Sequence, residues 1–508
     1  MEKHRWYAAV AGVASATVAL GVGEILAGVV APQSTPLVAV GGVVVDRVPE
    51  SGKELAIRLF GTNDKIALQI GTIVLLAGFA ALIGVAATYR IWLGYAGIAL
   101  FGVAGVAAAV TRTGATAVWA LPSVVGAGAA ALTLWLLLRR LPSDAPSDTL
   151  EPRADPGTTR RLFLRAAGGV IAAAALVGVV GRFLAQRSNV DAARDSVALP
   201  APSGSPAILP QGADAAGLNY VTANDTFYRI DTALVVPRID PASWTLKIHG
   251  RVGRPMTLTF ADLLRRPMIE RYITLACVSN EVGGDLIGNA RWLGVPVADL
   301  LAEAAPDPAA DQVVSRSVDG FTAGTPTAVL RDGRDAMIAV AMNGVPLPIE
   351  HGFPARMVVP GVYGYVSATK WLAELELTTF EDFDAYWIPR GWAREAPIKT
   401  QSRIDRPRSG ATVAPGQVVV AGVAWAQHRG ISRVDVRVDD GPWRPAELAQ
   451  TASIDTWRLW SWRWDATRGR HRLRVRATDN AGAVQTEAVA PPAPDGATGL
   501  HEIDITVE

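Results

Sequence analysis

Cysteine occurs once in 508 residues, at Cys277 in the stretch YITLACVSNEVGG, residues 272–284. One thiol forms no internal disulfide, no CxxC redox pair and no four-cysteine zinc or iron–sulfur site. Three roles remain: a small buried hydrophobe, a nucleophile, or a single thiolate ligand to a metal held mainly by something else. Net charge is +1 at neutral pH, so no broad cationic surface is expected and nucleic acid is not an expected partner. Histidine is scarce too: His4, His249, His351, His428, His471 and His501 are the full set, and none lies in a long apolar run. That argues against a bis-histidine haem inside a membrane bundle, and the missing CxxCH motif against an attached haem.

What the chain has in excess is apolar sequence, concentrated in its first third. Four stretches approach or exceed the roughly 20 residues a bilayer requires: 6–30, 66–88, 91–110 and 115–138. Their many Gly and Ala residues suit close helix packing in lipid. Glu24 lies inside the first, either as a functional acid or near the end of its helix within reach of water. A fifth apolar stretch, 162–181, follows TTRRLFLRAAGG, where Arg160 and Arg161 before Phe163 and Leu164 resemble a twin-arginine export signal. Lys3 and Arg5 would start inside, with Arg139, Arg140, Arg160, Arg161 and Arg165 collecting on the same side. The loop 31–65 fits less well, because Arg47, Lys53, Arg58 and Lys65 would lie outside, accompanied by Asp46, Glu50, Glu54 and Asp64. No small-residue cleavage site follows the fifth stretch, so the remainder is expected to stay anchored.

The expected organisation is therefore a four-helix transmembrane region (1–141), then a cytoplasmic loop, twin-arginine-like motif and fifth span (142–187). Residues 188–218, with VALPAPSGSPAILP, read as a semi-extended linker. Between 219 and 398, short strand-like runs such as SWTLKIHG alternate with helical pieces such as TFADLLRR and VPVADLLAEA, which predicts a mixed α+β domain. From 399 to 508, QVVVAGVAWA, ISRVDVRVDD, WRLWSWRW and HRLRVRATD predict an immunoglobulin-like β-sandwich, with Asp440-Gly441 at a turn. Trp460, Trp462 and Trp464 would share one face of a strand, in the sandwich core or on an exposed interface.

Two long segments carry a family resemblance. LACVSNEVGGDLIGNARWLGVPVADLL and MNGVPLPIEHGFPARMVVPGVYGYVSATKWLAELEL are similar to the molybdopterin domain of the sulfite oxidase family. Residues 399–508 resemble that family's dimerisation domain, which implies a homodimer through this region. The resemblance implies molybdenum–molybdopterin as cofactor, with Cys277 as direct metal ligand; a soft thiolate suits a metal whose other sulfur ligands come from the pterin dithiolene. It implies cofactor contacts from His351 and Arg356 in EHGFPAR, from Ser367, Thr369 and Lys370 in YVSATKW, and from Asn224 and Tyr228 in TANDTFYRID. Arg229 matches an arginine beside the metal, and Arg291 and Trp292 belong to the family motif, Trp292 as packing.

Two positions depart from the pattern. Phe321 in DGFTAGTP stands where animal and plant sulfite oxidases carry an active-site tyrosine. Tyr365 and Val366 stand where those enzymes carry a sulfite-binding arginine, so an oxyanion would lose a contact worth about 1.5–3 kcal/mol. The function implied is oxygen-atom transfer on a small sulfur or nitrogen oxo compound, at the outer face of a bacterial plasma membrane. The alternatives are a sulfoxide reductase of the methionine sulfoxide type and a cofactor-free, membrane-tethered binding module. With no haem or iron–sulfur cluster predicted, the electron partner is a separate cytochrome or quinone system.

Overall fold

In lipid, a backbone N–H or C=O must find its partner within the protein, and an apolar stretch achieves this as a helix. The computed structural model, which describes residues 2–31, 34–47, 64–112, 115–141, 156–186, 190–233 and 235–508, places helices accordingly. Among the described residues, four helical segments are long and apolar enough to cross a bilayer: Arg5–Val30, Ile70–Tyr89, Ile91–Val110 and Ala117–Leu138. The first helix begins at Glu2, and the last segment opens with a 3₁₀ turn, Ala117–Ala120, before Leu121–Leu138. Glu24 is half-buried on the first.

Small residues let these helices touch backbone to backbone. A Cβ on Gly12 would collide with the carbonyl oxygen of Ala80, and one on Gly84 with that of Ala8. Ala8 and Gly12 thus face Ala80 and Gly84, a small-residue pair four apart on each helix. Gly84→Leu should force the helices apart at a cost of about 1–3 kcal/mol or more. The expected outcome is loss of the monodisperse peak in detergent gel filtration, while Gly71→Leu, which meets open space, leaves it intact.

Two expectations change here. Part of the loop 31–65 is a helix, Pro36–Arg47, started by a proline at its first turn. Lys53, Arg58, Glu50 and Glu54 lie outside the described residues. The fifth stretch forms a longer helix, Pro156–Gln186, with Phe163 buried edge-on against Tyr7 at 5.4 Å. The side chains of Arg160 and of much of the last third of this helix lie outside the described residues.

The chain divides into two compact units, Met1–Ser188 with Ala233–Val235, and Asn189–Thr232 with Val236–Glu508. In the second, residues 190–218 are no free tether. Val190 forms part of a buried cluster, and Val197, Leu199 and Ala207 pack on apolar cores of the following domain. Ser203 N–H also donates to the Met268 carbonyl at 2.8 Å.

The strands that follow are β1 (Thr245–Gly250), β2 (Met256–Thr259), β3 (Ile269–Ala276), β4 (Ile287–Pro296) and β5 (Gln312–Ser317). Next come β6 (Thr322–Pro326), β7 (Met337–Met342), β8 (Val345–Pro346), β9 (Arg356–Val358) and β10 (Leu372–Thr378). They form two sheets, ordered β2-β1-β10-β5-β6 and β3-β4-β7-β8, with β9 beside β7. One core takes Leu246 and Leu375 from the first sheet and Leu293 and Ile338 from the second. The expected helical pieces are Phe260–Leu264, closed by a Thr259/Asp262 capping box, and Val297–Ala304.

The C-terminal residues form the predicted sandwich. Its sheets carry Gly416–Trp425 beside Arg458–Ala466, and Ile431–Val438 beside Gly469–Asp479. Trp460 and Trp464 are buried and Trp462 packs against them, so this face is core and not an exposed patch.

Candidate active site

Cys277 follows the last residue of β3, where the strand turns into a loop closed by hydrogen bonds. Its N–H donates to the Leu286 carbonyl (2.9 Å), its carbonyl accepts from Asn280 N–H (3.2 Å), and Asn280 Oδ1 accepts from Leu286 N–H (2.8 Å). β3 is an edge strand, and the sandwich covers its free edge. Thr274 N–H donates to the Asp455 carbonyl (3.0 Å), its carbonyl accepts from Gln427 Nε2 (3.1 Å), and its hydroxyl oxygen accepts from Trp457 N–H (2.8 Å). Trp457 Nε1 also donates to the Tyr220 carbonyl at 2.8 Å. The C-terminal domain therefore braces the strand that delivers the thiol. Trp457→Ala should cost about 3–5 kcal/mol, read by calorimetry of the full chain as a lowered unfolding temperature for this unit.

Cys277 opens onto a cleft also lined by Tyr228, His351, Arg356 and Lys370. Burial raises the thiol pKa, opposed by hydrogen bonds from Ser279. Arg356, on β9, is only 5% exposed and lies 5.2 Å over the Trp292 ring. Its guanidinium donates to the carbonyls of His351 (3.1 Å) and Ala368 (3.3 Å). No carboxylate among the described residues pairs with it, and burial lowers its pKa to about 10. A buried cation without a counter-ion is costly, so this is a place prepared for an anion.

Lys370 is treated differently. Its Nζ donates to the buried Asp231 carboxylate (2.8 Å) and to the Glu350 carbonyl (3.2 Å). Burial lowers its pKa to about 8 despite the attraction of Asp231. Tyr228 stacks on Phe227 at 5.1 Å, and burial, then the nearby thiol, push its hydroxyl pKa well up.

His351 stands against Phe227, with Nε2 2.9 Å from the Asn224 carbonyl. A carbonyl only accepts, so Nε2 carries the proton and Nδ1 is left as an acceptor. Burial, then the charge of Arg356, lower the His351 pKa to about 4. Below its ordinary 6.5, the unfolded chain binds a proton that the fold refuses. Stability should thus fall between pH 6.5 and 4, by up to about 3 kcal/mol. Denaturant titrations at several pH values should show this slope, and His351→Gln should remove that share of it.

The remaining expected residues lie elsewhere. Arg229 does not line the cleft: its Nε donates to Asp231 (2.8 Å) and its side chain is 40% exposed. Asn224 contributes through its backbone, since its side chain bonds Asn343 Nδ2 (2.7 Å) and the Met342 carbonyl (3.3 Å). Ser367 donates to the Tyr363 carbonyl (2.9 Å) and Thr369 bonds Ser315 Oγ (2.7 Å), so both hydroxyls are engaged behind the cleft wall. Trp292 is fully buried, with Nε1 bonded to the Ile273 carbonyl, in the packing role expected.

Sequence reasoning missed Asp231, Ser279, Asp319, Trp387 and Trp392 on the cleft. A signal existed for two of them: AYWIPRGWARE places two tryptophans just before the domain boundary. Trp392 lies 5.7 Å from Tyr365 and 6.0 Å from Trp387, making an aromatic wall with Phe321.

Residues 233–387 match the oxidoreductase molybdopterin binding domain, and residues 401–485 a bacterial Ig domain. Human mitochondrial sulfite oxidase is 32% identical over 322 residues, which take in 54% of this chain and 58% of the human protein. The sulfite oxidase of Gallus gallus is 30% identical, over 54% of this chain and 69% of its own. Among solved structures, the sulfane dehydrogenase SoxCD from Paracoccus pantotrophus is 26% identical with a TM-score of 0.50, over 58% of this chain and 85% of that one. The chain thus spans little more than half the length of the mammalian relatives it matches.

Proposed function

This chain belongs to the sulfite oxidase family of molybdopterin-dependent oxidoreductases, and from that premise we propose that its cleft holds molybdenum–molybdopterin with Cys277 as the protein's metal ligand. The observation that carries the reading is Arg356, a buried guanidinium without a carboxylate partner among the described residues, in the same cleft as the chain's one thiol. The cofactor's phosphate would supply the missing anion, held by the planar fork of Arg356 with Lys370 as a second charge. Neutral His351 offers Nδ1 to a donor on the cofactor. Metal binding would take up the thiol as thiolate and so offset its raised pKa. When bound, the group supplies two-electron oxygen-atom transfer to or from a small oxo substrate. We place the reaction on the outer face of a plasma membrane, supported by the arginines at the inner ends of the apolar stretches.

A second observation bears on the substrate. The wall of Phe321, Tyr365, Trp387 and Trp392 presents rings, and Asp319 beside it presents a carboxylate. Against that wall a neutral organic sulfoxide would find apolar contact, which a small dianion such as sulfite does not use. The experiment has two steps. The full chain, made in a host with molybdopterin synthesis and twin-arginine export, should contain close to one molybdenum and one pterin per chain. Oxidation of sulfite by the resting enzyme is then compared with oxidation of the dithionite-reduced enzyme by a methyl aryl sulfoxide. A folded, exported chain without molybdenum or pterin would sink the enzyme reading.

A further inference from the structure

The helices of the first unit surround a cavity of about 220 Å³ that the proposed reaction does not use. Its walls are almost wholly apolar, among them Ala16, Leu76, Phe101, Ala127 and Leu134. Ser15 also lines it, but its hydroxyl donates to the Ala11 carbonyl at 2.8 Å. Ser123 differs. It is 5% exposed, it lines the cavity, and its Oγ has no hydrogen-bond partner among the described residues. It faces Gly105, where a Cβ would come within 2.7 Å of Oγ, so the oxygen is shielded against the glycine backbone and only the missing side chain leaves it room.

We propose that this cavity binds the head group of an isoprenoid quinone, with the Ser123 hydroxyl turning from Gly105 into the cavity to donate to a ring carbonyl. Three observations select that occupant. A cavity of about 150 Å³ already admits a benzene ring, so the larger one here takes a substituted ring. A buried hydroxyl without a partner is unfavourable and asks for an acceptor, which a hydrocarbon chain does not provide. The reaction proposed for the cleft exchanges two electrons and two protons per turnover, the same count that separates quinone from quinol. The choice of a quinone over another carbonyl lipid rests on that reading of the cleft. The spans themselves contain no histidine or cysteine to hold a redox metal.

The test is binding and not turnover, so the two readings fail separately. The full chain is placed in nanodiscs of synthetic, quinone-free phosphatidylcholine and titrated with decylubiquinone. Saturable binding of one molecule per chain above protein-free discs is expected. Ser123→Ala should weaken it about threefold to tenfold, the worth of one hydrogen bond. Ala127→Phe should abolish it by filling the space. If the larger side chain unfolds the bundle, the near-isosteric Ser123→Ala still decides. Partitioning equal to that of empty discs, or saturable binding that Ser123→Ala leaves unchanged, overturns the proposal. So does a tightly retained phospholipid that decylubiquinone does not displace. Quinone binding by a chain that lacks molybdenum would sink the cleft reading alone.

Discussion

Cys277→Ser should leave a folded chain that retains pterin but loses about three powers of ten or more in turnover, some 4 kcal/mol of transition-state stabilisation. The fold should tolerate the change because backbone bonds to Leu286 and Asn280 hold the loop around residue 277, and a serine oxygen can accept from Ser279 as the sulfur does. Serine is also close in size at a site only 9% exposed. What it cannot replace is a soft, polarisable donor to the metal. A steady-state assay with an artificial electron acceptor, beside pterin fluorescence of the denatured protein, separates lost chemistry from lost cofactor. Turnover within tenfold of the parent would return Cys277 to the role of a small buried side chain.

Arg356→Gln should act in the opposite way, removing the cofactor and sparing the fold. Glutamine retains donors for the His351 and Ala368 carbonyls that Arg356 now serves. It carries no charge, and truncating a buried charge pair costs about 2–5 kcal/mol, or roughly 30-fold to several thousand-fold in affinity. Purified Arg356→Gln should contain little pterin and unfold near the temperature of the cofactor-free parent. Arg356→Lys should recover only part of the loss, because an ammonium lacks the planar fork. Lys370→Met should be milder, since the charge of Lys370 is already countered by Asp231 at 2.8 Å. Full pterin occupancy in Arg356→Gln would remove the argument from an uncompensated guanidinium.

The architecture was legible where a residue's local pattern coincides with its tertiary role. Apolar runs became helices long and apolar enough to cross a bilayer, and alternating runs became sandwich strands. Cys277, His351, Arg356 and Lys370 sit in long ordered motifs and meet at one cleft. The misses follow a common physical cause: partners chosen by the fold and not by the neighbourhood. Asp231, two residues along the chain, pairs with Arg229, which stands outside the cleft lining, and also counters Lys370 from 139 positions away. Thr274 is fixed by Trp457, separated from it by 183 positions, a contact no spacing rule encodes. The Ala- and Pro-rich segment after 188 looked like a tether because its apolar residues are spread thinly. Val190, Val197, Leu199 and Ala207 nevertheless cover core, Val190 at 3% exposure, while Ile208 and Leu209 stay exposed. The hydroxyls of Ser367 and Thr369 were expected at the cofactor from their motif, and their hydrogen bonds turn them inward.

Molybdenum K-edge X-ray absorption on the purified full chain, compared with its Cys277→Ser variant, tests the central claim most directly. The parent should bind the metal through the pterin sulfurs and one more sulfur, and the variant should show one sulfur scatterer fewer at unchanged molybdenum content. Identical sulfur coordination in the two proteins would contradict it, because the metal would then be held without the only cysteine the chain has.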